Sequence, residues 1–372
     1  MATATVTFAC KDAELFMEEV KTRVADYFDT RQLSVKANAT MVVKSLVLWG
    51  VFIGSYAAIL LGGLAPLAML GLAVVMGVAL AGIGFAVAHD ALHGAYSHRP
   101  WLNNLIGHSF DVLGASSYMW KITHNVIHHT YTNIHGIDED LEVSPLLRLS
   151  PQARWRSFHR FQHLYALLTY TLSTLNWVFW KDFDYFTRRT LGPYTDRKHP
   201  AGEIAQLIGF KVFFLLWSIV VPLLVLGLPL WQFAIGYVAM HMVAGVILGV
   251  VFQLAHVVEA TAHPVPDSCG HMEHTWPIHE MYTTANFATR NRFLTWYVGG
   301  LNFQVEHHLF PKTCSVHYPV ISRIVRDVAQ RHGVPYYENP TFRAAVVSHL
   351  RTLRANGREP SVLPQAPALV AA

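Results

Sequence analysis

The chain has 372 residues, 52% of them apolar and only 14% charged, with a formal net charge of +4. Soluble domains carry about 25% charged residues, so the deficit excludes an ordinary water-facing surface, and the small net charge gives no basis for nucleic-acid binding. Three scattered cysteines (Cys10, Cys269, Cys314) without a CxxC pair exclude a disulfide scaffold and a sulfur-ligated metal.

In chain order, the first residues, "MATATVTFACKDAELFMEEVK", lack a basic segment followed by an apolar core, so insertion is expected to rely on internal segments. Within a cytoplasmic N-terminal segment over 1–42, residues 11–31 place Leu15, Phe16, Val20, Val24, Tyr27 and Phe28 on one stripe, the pattern of an amphipathic helix. Residues 45–88 carry no charge and are broken at "GGLAP" (62–66), which predicts two spanning helices near 43–61 and 65–89. A second uncharged stretch, 212–258, is broken at "GLP" (227–229) and predicts helices near 206–226 and 231–257. The expected fold is an all-α integral membrane protein with two helical hairpins (43–89 and 206–257). A helical cytoplasmic cap is expected from 90–205 and 258–345, and a C-terminal segment (346–372) ends in a disordered tail over 361–372. The hairpin turns lack Lys and Arg, so the positive-inside rule puts both termini and the cap in the cytoplasm.

Histidine is the outlier, at 22 residues. His89 and His93 lie four apart at the end of the second expected span. "THNVIHHTYTN" gives His124, His128 and His129, and "FQVEHH" gives Gln304, His307 and His308. Offsets of three and four share a helix face, so each cluster can aim several imidazoles at one point. His256 ends the fourth expected span at the depth of His89, and on spacing alone ligation and a structural hydrogen bond both stay open. Eight histidines exceed what one zinc ion takes and suffice for two metal ions with open positions. Imidazole suits Fe, Zn, Cu and Ni alike; a thiolate-free site at a membrane surface favours iron and oxygen chemistry on an apolar substrate. His98, His108, His135, His263, His271, His274, His279 and His317 lack partners at helical spacing and read as outer or surface residues. His241 falls mid-span and is expected to hydrogen-bond within the bundle.

The HxxxH, HxxxHH and QxxHH boxes, with strings such as "HDALHGAYS", "HHTYTNIHGIDED", "TTANFATRN" and "GGLNFQVEHHLFP", resemble the membrane fatty-acid desaturases over about residues 12–340. The likeness is closest to the front-end (delta-5/delta-6-type) branch, including bacterial members described as linoleoyl-CoA desaturase-like. It implies a non-haem di-iron centre with His89, His93, His124, His128, His129, His307 and His308 as ligands, and His256 added from the last span. Gln304 stands where other branches place a ligating histidine; ligation and a pocket-shaping role both remain open for it. The implied reaction uses O2 and two electrons to introduce a cis double bond into an acyl chain carried by CoA or a lipid. No HPGG haem motif occurs and the stretch before the first span is too short for a fused cytochrome b5. A separate ferredoxin, or cytochrome b5 with its reductase, is therefore expected as electron donor, with the bilayer of a bacterial inner membrane as the setting.

Asp90, Asp138, Asp140 and Glu306 are candidates to orient the imidazoles, with surface or capping roles as the alternative. Asn286, Arg290 and Arg292 are candidates to meet a polar acyl head group, with solvated loop positions as the alternative. Two other functions fit the histidines less well: a di-iron hydroxylase or ketolase of lipids, alkanes or carotenoids, and a metal transporter, which would need ligands deeper inside the spans.

Overall fold

In the computed structural model, residues 6–9, 14–141 and 144–359 are described. Cys10 and the tail expected over 361–372 lie outside them. The chain is mostly helical. Helix α1 (Glu14–Thr30) buries Phe16, Val20, Val24 and Phe28, one turn apart, against a helix near the C-terminus, so the amphipathic stripe packs on protein.

Four helices are long and apolar enough to cross a membrane: α2 (Ala39–Leu61), α3 (Pro66–Leu92), and two later helices, Ala201–Val225 and Leu230–His256. Their bounds differ from the expected ones for local reasons. Asn38 caps α2 early, its Oδ1 accepting from Met41 N–H at 3.2 Å. Pro66 opens α3 at its first turn, and α3 runs three residues beyond His89. Helix α3 is the central one, packed between α2 and Leu230–His256.

Between the second and third long helices lie α4 (Pro100–Gly107), α5 (117–128) and α6 (162–187, with a break at Leu172). We label Ala201–Val225 α7 and Leu230–His256 α8. Lys211, in the first half of α7, is buried inside the fold. Its Nζ donates to Gly114 O (2.6 Å), Trp177 O (3.2 Å) and Val178 O (2.9 Å) and pairs with Asp182 Oδ2 at 2.8 Å. This one ammonium ties α6 to α7. His241 lies inside α8 and pairs through Nδ1 with Thr174 Oγ1 of α6 at 3.1 Å.

After α8 come α9 (Trp276–Thr283), strand β1 (Asn286–Phe287), α10 (Gln304–Leu309), α11 (Tyr318–Arg331), β2 (Glu338–Asn339) and α12 (Phe342–Asn356). The parallel β1–β2 pair is a departure from an all-helical chain; Asn286 faces Glu338 across it. Its place in the fold is directly behind α10, which carries the third histidine box.

Candidate metal centre

Of the three boxes, the first follows a π-helical turn and the second sits on one. Residues Gly84–Ala88 form one immediately before His89, inside α3, and Lys121–His128 form another within α5. A π turn bonds i to i+5, and His129 N–H donates to His124 O at 3.1 Å. That geometry explains how His129, five residues after His124, stays on the same side as His128. The third box is delivered differently, by a two-glycine turn. Gly299 and Gly300 both have positive φ (61° and 72°), and a Cβ on Gly299 would lie 2.6 Å from Ala86 Cα. Only glycine lets this turn press against the π turn of α3.

The eight histidines are all buried. Ring nitrogens of His89, His93, His124 and His307 lie within 4.8 Å of one another, as do those of His128, His256 and His308, and those of His129, His307 and His308. The adjacent His307 and His308 thus belong one to each of the first two groups and share the third with His129. Its ring centroid is 4.5 Å from that of His307 and 4.3 Å from that of His308.

The outer ring nitrogens are held by the protein. His124 Nδ1 meets Asp140 Oδ2 at 2.9 Å, His128 Nδ1 meets Asp138 Oδ2 at 3.0 Å, and His308 Nδ1 meets Glu280 Oε2 at 2.7 Å. His307 Nδ1 meets Tyr318 Oη at 3.2 Å. The Nε2 atoms of His93, His124, His128 and His307 are buried without any hydrogen-bond partner. Buried polar atoms normally have partners, so a set of unpartnered imidazole nitrogens brought together in this way is one that could hold a metal. Anchoring the far nitrogen to a carboxylate is how such ligands are oriented.

Charge follows the same plan. Burial pushes His93, His129, His307 and His308 well below the usual histidine range and drives His124 down to about 3. These rings are neutral, the form that donates to a metal. His128 goes the other way: burial opposes its charge, but the facing Asp138 outweighs it. Asp140 is held below the carboxylate range despite its burial by Lys181, 3.6 Å away, and by His124.

Gln304 sits in the wall of the second group. Its amide is 3.0 Å from His256 Nε2 and 3.4 Å from His308 Nε2. His256 is fixed from behind by Asn133, a left-handed residue (φ 61°) whose Nδ2 donates to His256 O at 2.9 Å and also to Ala262 O and Thr283 O.

Not every expected contact forms. Asp90 lies 3.8 Å from His89 Nδ1, and its Oδ2 instead accepts from Ser315 N–H (3.0 Å), Ser315 Oγ (2.9 Å) and Cys314 Sγ (3.2 Å). Glu306 bonds Asn286 Nδ2 (2.8 Å) and Tyr336 Oη (2.9 Å), not a histidine. Asn286 is buried, its Oδ1 accepting from Val305 N–H at 2.9 Å, so it clamps the third box from behind. Arg290 and Arg292 are exposed. His279 is buried and bonds Thr132 O at 2.7 Å, and His317 bonds Lys36 O at 3.2 Å. Glu280, Tyr318 and Asn133 escaped the sequence reading. Glu280 had one signal, as the only charged residue between Thr275 and Thr289.

Comparison with known proteins agrees with this site. The family described as fatty acid desaturase matches residues 64–340. The chain is 37% identical over 348 residues to the sn-1 linoleoyl-lipid 6-desaturase of Synechocystis sp., covering 92% of this chain and 96% of that one. It is 35% identical to the protein of the same name from Arthrospira platensis, covering 91% and 92% of the two chains. It is 33% identical to the acyl-lipid (8-3)-desaturase of Physcomitrium patens, covering 95% and 74%. With the match spanning every histidine box and three of the four long apolar helices, the chain belongs to the fatty acid desaturase family.

Proposed function

We propose that this protein is a front-end acyl-lipid desaturase whose eight buried histidines hold two irons at the cytoplasmic face of a membrane. The observation that carries the reading is the set of buried, unpartnered imidazole nitrogens, with the outer nitrogens of four of the rings held by Asp138, Asp140, Glu280 and Tyr318. His89, His93, His124 and His307 form one metal position; His128, His256 and His308 form the other, with His129 between them. When bound, the irons supply the reduction of O2 and the removal of hydrogen from an unactivated methylene, chemistry beyond any side chain.

The protein's part is position and dryness. Asp140, Asp138 and Glu280 fix the His124, His128 and His308 rings, and Trp120, stacked on His124 at 4.4 Å, and Phe252, 5.2 Å from His128, close the site with apolar surface. Gln304 gives the second position an amide where an imidazole would bind more strongly. Two electrons from the acyl chain and two from a separate ferredoxin or cytochrome b5 reduce one O2 to two waters. Cytoplasmic termini are part of this reading, supported by hairpin turns that carry no Lys or Arg. A front-end preference and an acyl-lipid substrate are supported by the activities for which the relatives are named and by Gln304.

The test is gas chromatography–mass spectrometry of fatty acids from a host expressing this chain with linoleate fed. A new double bond on the carboxyl side of the existing ones is expected. Hydroxylated chains without new double bonds would overturn the reading in favour of a hydroxylase. The Gln304→His variant should retain iron and shift double-bond position or rate; unchanged regiochemistry and rate would show the amide is incidental.

A further inference from the structure

A second cavity, of about 420 Å³, opens beside the first histidine box, lined by Lys36, Leu92, Gly94, His98, Asn103 and Asn104 among others. It shares a wall with the metal centre. Leu92 and Gly94 flank His93, and Asn125, the neighbour of His124, donates to Leu92 O at 2.9 Å.

Lys36 lines the cavity, and Arg99, Lys121 and Lys312 adjoin or bond residues that do. Lys36 Nζ donates to Gly94 O (2.9 Å) and Lys312 O (3.0 Å), which leaves one of its three N–H groups free. Lys121 Nζ donates to Asn104 Oδ1 at 3.0 Å, and Arg99 is exposed between His98 and Pro100. Among the described residues none of Lys36, Arg99, Lys121 and Lys312 has a carboxylate partner. The loop carrying Arg99 is fixed in place: Asn103 bonds both Ser97 O (2.7 Å) and Ser97 N–H (2.8 Å).

The same place meets lipid. Helix α4, which lines the cavity, exposes Trp101 and Leu105, and α2 exposes Val42, Val43 and Leu46 within ten residues of Lys36. Trp at the edge of an apolar surface, with cations above it, marks a membrane–water boundary. An anion reaching this cavity sideways from a bilayer is a lipid phosphate.

We propose that the cavity receives the phosphate head group of a membrane phospholipid whose acyl chain is the substrate. This rests on the desaturase reading and deepens it. A head group held one residue from His93 brings the carboxyl end of the chain, rather than its tail, beside the histidines, which is the presentation front-end chemistry needs. Coenzyme A carries phosphate too, so the test separates the two carriers.

Full-length protein is released from vesicles of equal phosphatidylglycerol and phosphate-free galactolipid, and retained lipid per chain is read by native mass spectrometry. The Arg99→Glu/Lys121→Glu variant should retain about tenfold less phosphatidylglycerol, the size of one or two lost charge-assisted bonds, with galactolipid retention and iron content unchanged. Its apparent KM for linoleoyl-phosphatidylglycerol should rise by a similar factor. The Arg290→Glu/Arg292→Glu variant should behave as wild type. Wild-type retention in the first variant, equal loss of both lipids, or loss only in the Arg290/Arg292 variant would overturn the proposal. So would competition in which linoleoyl-CoA displaces phosphatidylglycerol from wild type and the first variant weakens CoA binding alone. Head-group-selective retention that falls in the first variant, in a protein making no unsaturated product, would support the cavity's role while sinking the desaturase reading.

Discussion

The two ends of the helical bundle are built on opposite principles. At the histidine end the polar side chains are buried, inner ring nitrogens stand unpartnered and outer groups are tied across long sequence distances, as with His128 to Asp138 and Asn133 to His256. At the other end a cleft of about 270 Å³ opens between α2, α3, α7 and α8, lined mainly by apolar residues such as Ile59, Leu70, Met76 and Leu226. The helices differ as well: an apolar window of the central α3 is 61% buried, against 22% for α2 and α7. One end is specified by geometry, and the other by generic apolarity that any lipid-facing side chain supplies. Substitutions should therefore differ in kind as well as size between the ends.

The largest loss of stability is expected at the ammonium that joins α6 to α7. Lys211→Met leaves Asp182 buried without its cation, a change that costs about 3–5 kcal/mol. Thermal unfolding in detergent should show it, and Lys211→Met/Asp182→Leu should recover most of it; a single variant as stable as wild type would show that the pair does not hold the fold. Next is Glu280→Gln, which weakens the hold on His308 Nδ1. Losing such an outer partner lowers metal affinity or activity about 10–100-fold, with chain stability little changed, as iron titration against a chelator would reveal. Smaller again is Gly299→Ala, where a positive φ costs a non-glycine residue about 1–2 kcal/mol before the contact with Ala86 is relieved. That variant should lose iron as well as stability, because the turn carries α10. At the apolar end Leu224→Ala, at 80% exposure, should stay within about 0.5 kcal/mol of wild type. A large effect there would erase the contrast between the two ends.

How far the sequence was readable follows the same contrast. The spans were legible because charge-free runs of this length have few alternatives, and the boxes because their spacing repeats. Orientation of the second layer was not. Asp90 and Glu306 adjoin His89 and His307 in the chain, yet neighbours on a helix point from different faces, and both carboxylates turn away from the rings. Asp138 and Asp140 reach histidines because the chain folds back after Asn133, whose left-handed backbone allows the reversal. Glu280 and Tyr318 arrive from elements folded separately, so no local pattern announces them. The π turns were also hidden: the 3.6-residue period places His124 with His128, and only the wider turn brings in His129.

The most direct test is metal analysis of the purified full-length protein beside His128→Ala. Two irons per chain in wild type, with iron and desaturation both lost in the variant while it stays membrane-inserted, is the result expected of a two-metal histidine site. Zinc in place of iron, or a variant with full iron and full activity, would contradict the central claim.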